Sequence, residues 1–259
     1  MGIKVVILCG GMGTRLREET ELKPKPMVEI GGMPILWHIM KTYAHYGFNE
    51  FVLCLGYKSE VIKGYFYNYE ILSNNFTIEL GSKNIEIYPG HSEKGWKVTL
   101  VDTGLDAMTG ARIKRIEKFI DSDIFMLTYG DGVTDLNIKD LLNFHKSHGK
   151  IGTVTGVTPP SRYGELSIEK DHVVSFKEKS KTSSGSINGG YFIFNKKFFN
   201  YLKDEDGCVL EKEPLERLVA DKELKVFQHN GFWQCMDTYR DYKYLNELWT
   251  GGNPTWKVW

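Results

Sequence analysis

Short apolar runs alternate with helix-period segments through the first half of the chain, and that alternation leaves few folds open. Ile3 to Leu8 is an apolar run, as expected for a strand covered on both faces. Pro34 then opens a helix with Ile35, Leu36, Ile39, Met40 and Tyr43 on one face, and Gly47 stops it. Phe51 to Leu55 and Val98 to Val101 read as the next buried strands. Thr109 caps a helix whose apolar face is Ile113, Ile116 and Ile120. Ile124 to Thr128 is a further strand, and Ile138, Leu141, Leu142 and His145 mark a helix ending at Gly149. This order predicts an α/β protein built on a Rossmann-like, mostly parallel sheet flanked by helices.

From about residue 150 short strands follow closely: Thr153 to Val157, Leu166 to Ile168, Val173 to Phe176 and Ile187 to Phe194. They are expected to extend the same sheet with mixed and antiparallel pairing. A helix over Pro214 to Ala220, a strand over Lys225 to Gln228 and a helix from Thr238 to Trp249 complete the chain. Trp249, Trp256 and Trp259 in the tail need burial. Ser180 to Ser186 is the most loop-like stretch.

Composition removes several classes of function. The 259 residues carry 33 Lys+Arg against 33 Asp+Glu, so non-specific nucleic-acid binding, which needs a positive field, is not favoured. The opening apolar run is too short for a signal peptide, and no later run approaches the ~20 residues of a membrane span. A cytoplasmic chain with neither nucleic acid nor membrane as partner is expected. Cys9, Cys54, Cys208 and Cys235 are scattered with no C-x-x-C and read as reduced thiols. The seven histidines form no H-x-x-x-H pair, which argues against a zinc site.

Chemistry concentrates first in Leu8-Cys9-Gly10-Gly11-Met12-Gly13-Thr14-Arg15-Leu16, directly after the first strand. Glycines let backbone N–H groups approach a polyphosphate without Cβ obstruction, and Arg15 adds a cationic fork suited to phosphate. Arg15 stands where a P-loop needs its second glycine, and Leu16 occupies the last glycine position of a dinucleotide fingerprint, so neither motif is met. Taken alone, the segment could be an ordinary glycine-rich turn. Lys23-Pro24-Lys25-Pro26-Met27 follows. Two prolines forbid a helix, hold the segment extended and aim Lys25 from a stiff backbone, although a solvated basic loop would look the same.

The combination G-G-x-G-T-R-L then K-P-K-P-M resembles the signature of the sugar-1-phosphate nucleotidylyltransferases. The resemblance runs over essentially the whole chain. It includes Tyr129-Gly130-Asp131-Gly132, Phe176-Lys177-Glu178-Lys179, Asn188-Gly189-Gly190-Tyr191 and Trp233-Gln234-Cys235-Met236-Asp237-Thr238. It implies one nucleotidyltransferase domain over 1–259, with a nucleotide-binding half to about 150, a sugar-phosphate half over about 151–240, and a C-terminal helix and tail over about 241–259. The wording of K-P-K-P-M-V-E-I-G-G, V-D-T-G and W-Q-x-M-D-T implies CTP as donor and α-D-glucose 1-phosphate as acceptor. Deoxyhexoses of bacterial surface polysaccharide (O-antigen) are then the implied destination. A homo-oligomer, taken as a hexamer, is also implied, with the tryptophan-rich tail as a contact surface.

The same resemblance assigns roles. Leu8, Cys9, Gly10, Gly11, Met12, Gly13, Thr14 and Arg15 would cradle the triphosphate, with Cys9 packing beside the nucleotide. Lys25 would neutralise charge at the α-phosphate. Asp131, beside Gly130 at the carboxyl edge of a strand, and Asp237 would hold Mg²⁺. Either aspartate alone could be a turn residue. Gly164, Glu178, Lys179, Asn188 and Tyr191 would meet the sugar phosphate; Ser180 replaces the proline that often follows the E-K pair, and Lys179 could also be a surface charge. Thr103, Thr109, Gly110 and Arg112 stand where relatives carry the base loop. Free N–H groups at the helix start and Arg112 would face the triphosphate or base, or Thr109 would simply cap the helix beside a surface Arg112. The implied reaction is a single displacement with pyrophosphate leaving, and Lys25, Arg15, Asp131 and Asp237 would carry it. A uridylyl- or thymidylyltransferase, or a non-catalytic sugar-nucleotide sensor, are the alternatives.

Overall fold

The central sheet has seven strands: β1 (Lys4–Leu8), β2 (Glu50–Leu55), β3 (Lys97–Asp102), β4 (Ile124–Tyr129), β5 (Gly152–Val157), β6 (Ile187–Asn195) and β7 (Leu224–His229). The structure, a computed structural model, describes residues 2–13, 16–82, 84–88, 90–159, 165–169, 172–177 and 185–259. Strand order is β7-β5-β6-β4-β1-β2-β3. β1 pairs in parallel with β2 and β4, as do β2 with β3 and β5 with β7. β6 runs antiparallel to both β4 and β5. The expected parallel first half and mixed second half are both present.

Alternation along β1 explains why it is apolar from Val5 to Leu8. Val5 and Ile7 join Ile35, Leu36, Ile39 and Met40 of α1 (Ile35–His45), together with Leu245 and Trp256, on one face. Val6 and Leu8 join Val52, Ile113, Ile116, Phe125, Phe192 and Phe198 on the other. A strand covered on both faces has no solvated side on which to place polar residues. Further helices are α2 (Ser59–Tyr67), α3 (Thr109–Arg115), α4 (Ile138–His148), α5 (Glu213–Ala220) and α6 (Tyr239–Thr250), with short ones over Arg17–Thr20 and Tyr69–Ser73. Thr238 caps α6 through a capping box with Asp241.

The structure corrects three expectations. The strands Glu165–Glu169 and His172–Lys177 pair with each other as a separate hairpin and do not extend the central sheet. Pro24 is extended, but Lys25–Met27 forms one 3₁₀ turn, because a proline within the first turn of a helix gives up no N–H that the helix would use. Met108, not Thr109, is the N-cap of α3. The burial expected for the tail tryptophans is found at Trp256, which is fully buried, and Trp256, Trp249 and Trp37 pack around the buried His38. Among the described residues, no helix is long and apolar enough to cross a membrane.

Candidate active site

Two cavities open side by side at the carboxyl ends of β1 and β4, where an open α/β sheet places its ligands. One, of about 340 Å³, is lined by Leu8, Cys9, Gly11, Gly13, Lys25, Pro26, Thr109, Tyr129, Gly130 and Asp131. The second, of about 330 Å³, shares Tyr129 and Asp131 and adds Thr128, Gly132, Asn188, Gly189, Gly190, Tyr191, Trp233, Cys235 and Asp237.

The glycine segment is held from beneath. Cys9 N–H donates to the Cys54 carbonyl at 2.9 Å, and the Gly10 carbonyl accepts from Tyr57 N–H at 3.2 Å and from Arg112 Nη2 at 3.0 Å. A Cβ on Gly10 would lie 2.2 Å from Arg112 Nη1, so only glycine lets the guanidinium sit under the loop. Gly13 is left-handed (φ +63°), which turns the chain back toward Leu16 and Thr20.

The Lys25 turn sits against β4. A Cβ on Gly130 would lie 2.7 Å from the Leu8 carbonyl oxygen and 3.0 Å from Pro26 Cγ, so Gly130 is what admits the turn. Lys25 Nζ then reaches Asp131 Oδ2 at 2.6 Å and Asp237 Oδ1 at 2.6 Å. Burial by itself would lower the pKa of this amine; the Asp131 charge and the hydrogen bonds to both carboxylates more than reverse that and keep it protonated.

A two-stranded pairing outside the central sheet brings the aspartates together. Gly132–Thr134 pairs antiparallel with Trp233–Cys235, and Met236 N–H donates to the Asp131 carbonyl at 2.8 Å. Asp237 N–H and Thr238 N–H both donate to Asp241 Oδ2, at 3.2 and 2.9 Å. Asp131, Cys235 and Asp237 place one donor atom each within 4.8 Å of one another. The Cys235 thiol is pushed up by burial and by the Asp131 charge, and it stays protonated. The set fits a divalent cation: it offers two hard carboxylates, and an ammonium cation already sits on both.

Residues 4–247 match the family Nucleotidyl transferase. The chain belongs to that family. It is 50% identical over 258 residues to the glucose-1-phosphate cytidylyltransferase of Salmonella typhi, covering 99% of this chain and 100% of that one. It is 32% identical to the mannose-1-phosphate guanylyltransferase catalytic subunit beta of Dictyostelium discoideum, covering 95% of this chain and 66% of that one. Among solved structures, HddC from Yersinia pseudotuberculosis superposes with a TM-score of 0.68 at 27% identity, over 95% of this chain and 99% of that one.

This nucleotidyl transferase brings together Leu8, Cys9, Gly11, Gly13, Lys25, Thr109, Gly130, Asp131, Asn188, Tyr191 and Asp237 around the paired cavities. Met12 is half exposed. Thr14, Arg15, Gly164, Glu178 and Lys179 lie outside the described residues. Three expectations are corrected by geometry. Arg112 does not point outward: it is buried, and its two Nη atoms donate to the carbonyls of Gly10, Leu55, Gly104 and Leu105 and to Thr103 Oγ1. Thr103 is likewise buried and donates to the Leu55 carbonyl at 2.6 Å. The N–H groups of Gly110 and Ala111 are not free, since both donate to the Cys208 carbonyl, at 2.9 and 3.1 Å. Tyr191, buried in the wall of the second cavity, donates its hydroxyl to the Gly132 carbonyl at 2.7 Å, which braces the Asp131 turn.

Sequence reasoning passed over Tyr129, Glu211, Trp233 and Cys235. Tyr129, Trp233 and Cys235 lie inside quoted motifs; Glu211 carries no motif. Trp233 Nε1 donates to the Gly189 carbonyl at 2.7 Å, tying the strand before Asp237 to the start of β6.

Proposed function

We propose that the chain transfers a cytidylyl group from CTP to α-D-glucose 1-phosphate, giving CDP-glucose and pyrophosphate. The full-length 50% identity to a glucose-1-phosphate cytidylyltransferase carries the choice of substrates. The bridge Asp131–Lys25–Asp237 at the junction of two cavities carries the chemistry. The glycine-lined cavity takes the nucleotide and the Asn188–Trp233 cavity the sugar phosphate. A phosphate oxygen of the acceptor is already anionic at neutral pH, so no general base is needed. It attacks the α-phosphorus of CTP, the bond to the bridging oxygen of pyrophosphate breaks, and both negative charges stay on phosphate oxygens. What the protein must supply is positioning and charge neutralisation between two polyanions. Lys25 supplies a fixed ammonium at the meeting point of the cavities, and Arg15 is assigned to the triphosphate. Asp131 and Asp237 would hold Mg²⁺, which when bound neutralises phosphate charge.

Glu178, Lys179 and Gly164 belong, in this reading, to the sugar-phosphate side, with the chain acting as one nucleotidyltransferase domain. A homo-oligomer in the cytoplasm, supplying CDP-glucose to deoxyhexose and O-antigen synthesis, completes the proposal. The test is pyrophosphate release from CTP, UTP, dTTP and GTP, each with glucose 1-phosphate and Mg²⁺. CTP is expected to exceed the others by at least tenfold in kcat/KM. A clear preference for UTP or dTTP would reassign the base, and no release with any of them would favour a sensor.

A further inference from the structure

Glu211 lies outside every recognised motif, yet its carboxylate is hydrogen-bonded to two side chains that line the cavities. Its Oε1 accepts from the Tyr129 hydroxyl at 2.5 Å and its Oε2 from the Thr109 hydroxyl at 2.8 Å. Tyr129 lines both cavities and Thr109 lines the nucleotide cavity. Asn188 Nδ2, in the other cavity, donates to the same Tyr129 hydroxyl at 3.3 Å. A hydrogen-bonded chain thus runs Asn188–Tyr129–Glu211–Thr109 from one cavity to the other. Thr109 Oγ1 in turn accepts from Leu210 N–H at 2.9 Å, which fixes the backbone beside Glu211.

Two features make this more than a loop pin. Among the described residues no cation pairs with Glu211, and the residue is exposed. Each carboxylate oxygen accepts one hydrogen bond within the protein and keeps a further lone pair for a second. An exposed carboxylate with no cation beside it repels phosphate and accepts hydrogen bonds from uncharged donors, and the hydroxyls of a sugar are the donors both substrates share.

We infer that Glu211 is a specificity-determining residue that accepts hydrogen bonds from a sugar diol of one substrate and turns phosphate toward Lys25. This rests on the reading of the chain as a nucleotidyltransferase for CTP and glucose 1-phosphate. The shared chemistry is a vicinal diol, carried by the hexose and by the ribose of the nucleotide. Tyr129 and Thr109 hold the carboxylate in place from one side, so the acceptor is preorganised before substrate arrives.

The experiment compares the wild type with Glu211→Gln in two arms. One arm sets glucose 1-phosphate against its 2-, 3-, 4- and 6-deoxy analogues; the other sets CTP against its 2′- and 3′-deoxy analogues. A hydrogen bond to a charged acceptor implies that the wild type discriminates against one deoxy analogue about 10- to 100-fold in kcat/KM. In Glu211→Gln that ratio should fall by about tenfold or more, with little change against the other analogues. Loss in the hexose arm assigns the carboxylate to the sugar, and loss in the ribose arm assigns it to the nucleotide. Glu211→Gln keeps one acceptor oxygen, so either Tyr129 or Thr109 must give up or reverse its hydrogen bond, and a melting curve alongside checks that the variant folds. Unchanged discrimination in both arms, with or without a drop in Tm, would overturn the inference and leave Glu211 as a loop pin. Absence of wild-type turnover on CTP and glucose 1-phosphate would overturn the substrate reading instead, so the two failures are distinguishable.

Discussion

Replacing Lys25 by alanine separates two roles that one ammonium plays. Its side chain is 12% exposed, and the carboxylates it bridges are 26% and 19% exposed, so these contacts are screened far less than a surface pair. During transfer, negative charge shifts toward the oxygens of the departing pyrophosphate, and a preorganised cation stabilises that shift more than the ground state. Loss of one such group lowers kcat by ~10²–10³, or about 3–4 kcal/mol, with smaller changes in KM. The structure adds a second consequence. The ammonium occupies the two carboxylates that would take a divalent cation, so in the absence of nucleotide an incoming ion must displace it. Lys25→Ala removes that competition, and Mg²⁺ should bind at least tenfold tighter, about 1.4 kcal/mol. Lys25→Arg should rescue turnover poorly, because a wide planar fork cannot place one nitrogen at 2.6 Å from both oxygens on so short a turn. Steady-state pyrophosphate release and calorimetric titration of the nucleotide-free protein with Mg²⁺ measure the two effects. An alanine variant that changed only the KM for CTP, and bound Mg²⁺ no tighter, would refute both parts of the reasoning.

Three further perturbations test the rest of the site and its support. Asp131→Asn and Asp237→Asn should each lower turnover by tenfold or more with little change in Tm, and the double variant should lose less than the product of the single losses, because the pair acts as a unit; multiplicative losses would show two independent sites. Arg112→Met leaves the carbonyls of Gly10, Leu55, Gly104 and Leu105 without their shared donor, and should cost about 3 kcal/mol or more in urea unfolding while raising the KM for CTP; an unchanged midpoint would mean that water replaces the guanidinium. Burial pushes the His38 imidazole down to about 4, with Nε2 hydrogen-bonded to the Ile30 carbonyl and Nδ1 accepting from Trp256 Nε1. A depressed histidine pKa means that the unfolded chain takes up the proton first, so its contribution is complete above pH ~6.5 and is lost as pH falls toward 4, by about 3 kcal/mol. His38→Gln should flatten that part of the stability profile, leaving the slope from His145, which burial also lowers to about 4.

Legibility in the sequence followed the range of the interactions. β1, α1 and β2 were readable because each carries its own period: Val5 to Leu8 is apolar at every position, and α1 buries Ile35, Leu36, Ile39, Met40 and Tyr43. α2 and the hairpin Asn75–Ile78/Ile85–Tyr88 carry no such signal. α2 buries only Ile62, and the hairpin strands are almost wholly exposed. The expectation of free N–H groups at the start of α3 fails for a different reason. A helix start with Thr109 looks open in sequence, and only the distant segment 206–208 shows that its N–H groups are taken. Arg112 gave no sign of burial because its partners are backbone carbonyls, which no side-chain pattern announces.

The aspartates show how a local motif and a non-local contact combine. Asp131 was placed by its strand alone, since β4 must end at the carboxyl edge of the sheet. Asp237 has no such anchor. It is positioned by the Trp233–Cys235 pairing on one side and by the Asp241 carboxylate on the other, which sits at the first turn of α6. The far end of α6 then reaches back to the Lys25 segment. Asn246 accepts from Gly31 N–H at 3.0 Å and donates to the Glu29 carbonyl at 3.3 Å. Gly31 is left-handed (φ +59°), and a Cβ there would lie 2.0 Å from Trp249 Nε1, so the indole is seated against bare backbone. One helix therefore carries the second carboxylate at its start and braces the loop that follows the lysine near its end. The distance between Lys25 and Asp237 is set by a rigid element, and the glycines, prolines and tryptophans flanking the charged groups are the parts that fix it.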